Sequence, residues 1–216
     1  ASGEPYFNHV MATAQNLIQW GLDEITVAAG LLHDTVENTD VTAEDIEREF
    51  GEEIKFLVEG VTKLGTVKYR GVEGQVENLR KLILAMAEDL RVILIKLADR
   101  LHNMQTLMAL PPQKQKRIAL ETIEVYAPLA YRLGMQGLSG ELEDLAFPYV
   151  YPQEYRWLIQ NVKERYEKRE RYLKKIRPIV EKAIRDYKSI NLIAIDFRAK
   201  RYASLYKKLL RYEMDI

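Results

Sequence analysis

Apolar residues return every three or four positions along most of this chain. In "EITVAAGLLHDTVENT" they fall at Ile25, Ala28, Ala29, Leu32 and Val36, the spacing of an amphipathic helix. "DVTAEDIEREFGEEIKFLVEGVTKL" opens with Thr42 as an N-cap and Asp45 three residues on, close to a capping box. Its helix is predicted to break at Gly51, and a second starts at once. "GTVKYRGVEGQ" is glycine-rich and polar, so it reads as a loop. "VENLRKLILAMAEDL" and "RVILIKLADRLHNMQTLMAL" are again helical, the second apolar enough to be mostly buried. Pro111 and Pro112 end it, because proline cannot continue the ladder. "QKQKRIALETIEVYAPLAYRLGM" predicts a further helix, kinked before Pro128. Long charged helices follow Pro152. Only "NLIAIDFRAK" alternates like a strand, leading into a short helix "YASLYKKLL", as the first αβ unit of a second domain would.

Composition adds bounds. With 216 residues, 47% of them hydrophobic, the chain can bury one good core. No apolar run approaches the ~20 residues of a membrane span. The opening "ASGEPYFNHV" reads as a loop between two elements and lacks the basic and apolar regions of a signal peptide. Without cysteine there is neither a disulfide framework nor a thiolate zinc site. A cytoplasmic protein is the plain expectation. Formal net charge is zero, so nothing global argues for nucleic acid or membrane partners. The basic stretch "YRWLIQNVKERYEKRERYLKKIRPIVEKAIRDYK" mixes both signs at helical spacing and reads as a solvated face.

Candidate chemistry concentrates in "GLLHDTVENTD". On a continuous helix Glu37 lies four residues after His33 and three after Asp34, so all three crowd roughly one face. That face borders the apolar stripe, where polar groups need partners. A divalent cation is one, since imidazole and carboxylate together suit Mn, Fe, Zn or Ni. A surface His–Asp pair without a ligand is the plain alternative. Two features bear on the choice. His9 is one of only three histidines, and "KLADRLHNM" sets Asp99 in an apolar helix, where a carboxylate is costly unless paired.

A histidine, an HD pair and a distant aspartate in a helical chain resemble the ligand set of the HD phosphohydrolase superfamily. The flanking stretches sharpen the likeness. "SGEPYFNH", "TVAAGLLHDTVENTDVT", "FGEEIKFLVEGVTKL", "LRKLILAMAEDLRVILIKLADRLHNMQTL" and "KQKRIALETIEVYAPLAYRLG" resemble, in order, the hydrolase domain of the RelA/SpoT (Rel) alarmone enzymes. "DFRAKRYASLYKKLL" is similar to the opening of that family's synthetase domain. The resemblance implies an all-α HD bundle over residues 1–150, a helical connector over 151–190, and a truncated start of an α/β synthetase domain over 191–216.

It further implies Mn²⁺-dependent removal of the 3′-pyrophosphate from ppGpp or pppGpp. The metal ligands would be His9, His33, Asp34 and Asp99; synthetase-only members lack the HD pair, and its retention here implies a competent hydrolase. Asn103, Thr106, Ser2, Tyr6 and Lys116 match positions the family places at the nucleotide, and His102 reads as structural. The family follows HD with an acidic pair; here that pair is Glu37 and Asn38. An amide carries no charge and is no useful base at neutral pH. Val10, Gln105 and Tyr131 also depart from the family's residues. Three readings stay open: an alarmone hydrolase, an HD phosphohydrolase of another nucleotide, and an alarmone-binding module without turnover.

Overall fold

The computed structural model describes residues 5–65, 88–187, 193, 195 and 201–211. Among these residues every regular element is helical. They form two units, Ala1–Ala146 and Phe147–Ile216. The predicted loop at 66–75, the predicted helix up to residue 87, and most of the predicted strand at 191–200 lie outside the described residues.

In the first unit, α1 (Phe7–Gln19) buries Thr13, Ala14 and Leu17 and stops at Gly21, whose φ of 75° suits a residue without Cβ. Helix α2 (Glu24–Leu32) starts at Asp23, whose carboxylate accepts the Thr26 N–H at 2.9 Å. It lies close against α1, for a Cβ on Gly30 would fall inside the contact distance of Leu17 Cδ1. A four-residue helix follows, α3 (Thr35–Asn38). The predicted capping box is present on α4 (Ala43–Phe50): Thr42 and Asp45 each cap the other's backbone N–H. Gly51, at φ 91°, ends the helix as predicted, and α5 (Glu52–Gly65) follows.

Helix α6 (Leu90–Gln105) is the centre of this unit. Val92, Ile93, Ile95, Leu97, Ala98, Leu101 and Met104 are all buried along it. Asp89 caps it at the Arg91 N–H, and the Arg91 guanidinium reaches Glu53 of α5 at 2.7 Å. The helix ends at Gln105 rather than at Leu110, where the apolar pattern stops. Thr106 returns both its N–H and its hydroxyl to the His102 carbonyl. A short 3₁₀ turn, Leu107–Ala109, then leads to Leu110, extended at ψ 158° as a residue before proline should be.

Helix α7 (Pro112–Glu121) runs into a π turn at Thr122–Tyr126, where the Ala127 N–H reaches back five residues to the Thr122 carbonyl. This is the irregularity predicted before Pro128, which lies in α8 (Ala127–Arg132). Helix α9 (Gln136–Val150) contributes buried Leu138, Leu142 and Ala146.

In the second unit Phe147, Leu158, Val162, Ala203 and Leu209 form a small core. It joins the start of α10 (Pro152–Arg185) to α11 (Tyr202–Arg211), the helix expected from "YASLYKKLL". Beyond Val162 the described side chains of α10 are mostly exposed, the solvated basic face that the charge pattern suggests. No helix among the described residues is long and apolar enough to cross a membrane.

Candidate metal centre

His33 and Asp34 do not sit within one helix, as the periodicity suggested. Helix α2 ends at Leu32, His33 is its C-cap, and Asp34, at φ −101° and ψ 0°, opens α3. Successive residues on a regular helix diverge by about 100°; ending the helix at this dipeptide lets both side chains turn to one point. The apolar period carries on through Val36, so sequence alone did not show the break.

Around that point His9 Nε2 lies 3.3 Å from Asp99 Oδ1 and 3.6 Å from Asp34 Oδ2. His33 Nε2 lies 3.4 Å from Asp34 Oδ1 and 3.9 Å from Asp99 Oδ1. His9, His33 and Asp99 also form a group whose ligand atoms all fall within 4.8 Å of one another. The His33 Nδ1–H donates to the Gly30 carbonyl at 2.8 Å. This fixes the tautomer and leaves Nε2 as a bare lone pair, fully buried and without a hydrogen-bond partner. A buried polar atom left so is costly, and a lone pair facing the oxygens of Asp34 and Asp99 is repelled unless a positive charge lies between them. Donor separations of roughly 3–4 Å are those of neighbouring ligands on one cation with bonds of about 2.0–2.2 Å. The residues present therefore fit a divalent metal.

The surrounding groups hold these donors in place. Burial alone would raise the Asp99 pKa, but the Lys96 ammonium, at 2.9 Å from Oδ2, holds its carboxyl well below the usual carboxylate range. Burial works against the Lys96 charge as well, yet Asp99 beside it pushes its pKa up to about 12. The Asn103 amide donates to Asp99 Oδ1, and the Tyr6 hydroxyl donates to Asp34 Oδ2. Partial burial, that hydrogen bond and the nearby carboxylates push the Tyr6 phenol upward. His102 Nδ1 lies 2.8 Å from His9 Nδ1. Neither Lys96 nor His102 stood out as functional in the sequence, although their i−3 and i+3 spacing from Asp99 was the available signal.

Beside the centre is a cavity of about 400 Å³ lined by Pro5, Tyr6, Asn8, His9, His102, Asn103, Thr106, Ala109, Leu110 and Ile118. Tyr6, Asn103 and Thr106 are thus brought together at its wall. Lys116 is exposed on α7, two residues from Ile118. Ser2 lies outside the described residues. On α3, Glu37 and Asn38 are both exposed, and the Asn38 amide donates to the Asp34 carbonyl at 3.1 Å. A second, more apolar cavity of about 670 Å³ lies against Phe7, Val10, Met11, Leu31 and Leu32, with Tyr6 and Asp34 also on its wall.

Paired imidazoles and carboxylates are gathered here from α1, the α2–α3 junction and α6, and the chain belongs to the HD domain family, whose model matches residues 1–136. Over 97% of its length it is 48% identical to the guanosine-3′,5′-bis(diphosphate) 3′-pyrophosphohydrolase of Aquifex aeolicus (strain VF5). Over 97% it is also 47% identical to the GTP pyrophosphokinase of Streptomyces coelicolor. It spans 30% and 24% of the lengths of these two relatives. Among solved structures, a metazoan ortholog of SpoT that hydrolyses ppGpp is 28% identical, with 65% of this chain and 79% of that chain covered at a TM-score of 0.46.

Proposed function

We propose that this chain hydrolyses the 3′-pyrophosphate of ppGpp and pppGpp, releasing GDP or GTP and pyrophosphate, with Mn²⁺ as its metal. The observation that carries this reading is the convergence of His9, His33, Asp34 and Asp99 beside the cavity walled by Tyr6, Asn103 and Thr106. The similarity to a named 3′-pyrophosphohydrolase supports the choice of substrate.

His9, His33, Asp34 and Asp99 would hold the metal. When bound it supplies Lewis acidity toward a phosphoryl oxygen and a lowered pKa for the attacking water. The remaining work belongs to the chain. Gly30 fixes His33; Lys96 and Asn103 fix Asp99; Tyr6 fixes Asp34. Asn103 and Thr106, one turn apart at the end of α6, present polar groups to the nucleotide, with Ser2 and Lys116 assigned the same task. Glu37 is the carboxylate of α3 and takes the role of orienting the water or accepting its proton. Asn38 can only orient, and its amide is turned to the backbone of its own helix. We assign residues 1–150 to the hydrolase, 151–190 to a connector and 191–216 to the start of a synthetase domain, in a cytoplasmic protein.

The test is turnover of purified protein on ppGpp with Mn²⁺, beside a chelated control and the Asn38→Asp variant. Metal-dependent release of pyrophosphate is expected, with the variant faster by as much as ~10²–10⁴-fold, the usual scale of acid–base assistance. Inertness of both proteins, with Mn²⁺ bound and ppGpp bound, would favour the alarmone-binding module that Asn38 suggests. Turnover of another nucleotide in preference to ppGpp would point to the wider phosphohydrolase class.

A further inference from the structure

His9 and His102 meet through their Nδ1 atoms at 2.8 Å, with ring centroids 4.9 Å apart. Two imidazole nitrogens at that distance require one hydrogen between them, and it can sit on either ring. The two placements have opposite consequences for the metal centre. With the hydrogen on His102 Nδ1, His9 accepts, and a neutral His9 must carry its own proton on Nε2. That N–H then points at Asp99 Oδ1, 3.3 Å away, and at Asp34 Oδ2, 3.6 Å away, and His9 offers the metal nothing. With the hydrogen on His9 Nδ1, Nε2 is a bare donor aimed where His33 Nε2 also points.

We propose that His102 is the positioning residue of the metal centre: its neutral, Nε2-protonated form accepts the His9 Nδ1–H and so selects the tautomer and ring angle in which His9 can bind the cation. The inference rests on the metal-centre reading above and goes beyond it by assigning the group that sets one of its ligands. A metal-bound histidine normally gives its second N–H to a carboxylate, a carbonyl or water. His33 follows that rule through Gly30, whereas His9 uses another imidazole.

The choice has a chemical reason. Asp34 and Asp99 already place two carboxylates at a site proposed to receive a phosphorylated anion. A third carboxylate behind His9 would orient it equally well but add a negative charge facing the substrate. An imidazole orients without charge. It is also well anchored: His102 lies three residues after Asp99 on α6, and its carbonyl holds both the Thr106 N–H and the Thr106 hydroxyl. One helix thus supplies a ligand and the orienter of a second ligand that comes from α1.

The experiment has two arms. In the first, Mn²⁺ affinity is measured by titration calorimetry on the wild type, His102→Leu and His102→Gln, with unfolding in chelator as the control for folding. Losing an outer-shell partner typically weakens metal binding by 10–100-fold. His102→Leu is expected to lose that much, and His102→Gln, whose amide oxygen can accept the same hydrogen, to recover most of it. In the second arm, ¹⁵N-coupled NMR of the wild type loaded with diamagnetic Zn²⁺ reads the tautomers directly, whatever the variants do. His9 should be protonated at Nδ1 and His102 at Nε2. His102 found protonated at Nδ1, or His102→Leu binding Mn²⁺ within twofold of a binding wild type, would overturn the assignment alone. A wild type that binds no divalent ion would overturn the metal centre itself.

Discussion

Removing the Lys96 ammonium tests the electrostatics of the centre most directly. Lys96 and Asp99 form a buried pair at 2.9 Å, with side chains 13% and 7% exposed. At an effective dielectric of ~20 their attraction is about 6 kcal/mol, partly cancelled by the desolvation of the lysine. Breaking one side of such a pair typically costs about 3–5 kcal/mol. Lys96→Met keeps the volume and removes the charge. A ceiling comes from Asp99 itself, which can escape by taking up a proton: at pH 7, neutralising a carboxyl of ordinary pKa ~3.9 costs about 4 kcal/mol, and at pH 5 about 1.5 kcal/mol. Because the folded Asp99 pKa is depressed, its contribution is present above the unfolded value and is lost only as pH falls through the folded one. Urea unfolding of Lys96→Met in chelator should therefore show a loss of about 3–4 kcal/mol at pH 7, shrinking at pH 5. A divalent ion replaces the missing positive charge, so the variant should bind Mn²⁺ about 10–100-fold more tightly, and saturating metal should restore the matching ~1.4–2.7 kcal/mol. An unchanged urea midpoint in chelator, or weaker Mn²⁺ binding, would refute the reasoning.

Gly30→Ala should destabilise by about 1–2 kcal/mol, since overpacking against Leu17 costs ~1–3 and the helix preference of alanine returns up to ~1. Calorimetry should also find weaker Mn²⁺ binding, because the Gly30 carbonyl anchors His33; a variant as stable as the wild type would show that α1 and α2 can separate freely. Thr42→Ala should lower the urea midpoint at neutral pH. The cap holds the Asp45 carboxyl down to about 2, so its contribution is present above pH ~4 and fades as pH falls toward 2; a wild-type to variant gap that widens on acidification would contradict this. Leu17→Ala, at a side chain with no exposure, should cost about 2–5 kcal/mol by thermal unfolding, and a loss below 1 would mean the α1–α2 contact collapses around the gap.

Local chemistry made much of the fold legible. The Thr42–Asp45 box, the stop at Gly51 and the irregularity before Pro128 each follow from one or two residues whose backbone demands are strong. What escaped were features set by convergence in space. Nothing in "GLLHDTVEN" marks a helix end at His33, because the apolar period runs on and no proline or glycine follows. The break lets two adjacent side chains turn to one point. Helix α6 was overextended for the opposite reason: Leu107, buried with no exposure, prolongs the apolar pattern after the helix has ended. For the site, the residues that His9 and Asp99 face were visible as types but not as partners. Lys96 was not singled out and His102 read as structural, since their roles depend on how α1 and α6 meet.

The π turn at Thr122–Tyr126 solves a problem of phase. Arg100 of α6 is gripped twice: Glu121 reaches it at 3.3 Å, and the Tyr126 ring lies 4.1 Å below its guanidinium carbon. Those two residues are five apart. On a regular helix positions five apart point about 140° away from each other, and one of the two would face elsewhere. The wider turn makes five residues close to a single revolution, so acid and ring arrive on the same side. A one-residue deletion inside the turn would leave a smoother helix with a tyrosine rotated off its cation. The irregular segment is in this sense a phase corrector, clamping the residue next to Asp99 from a helix that carries none of the four donors.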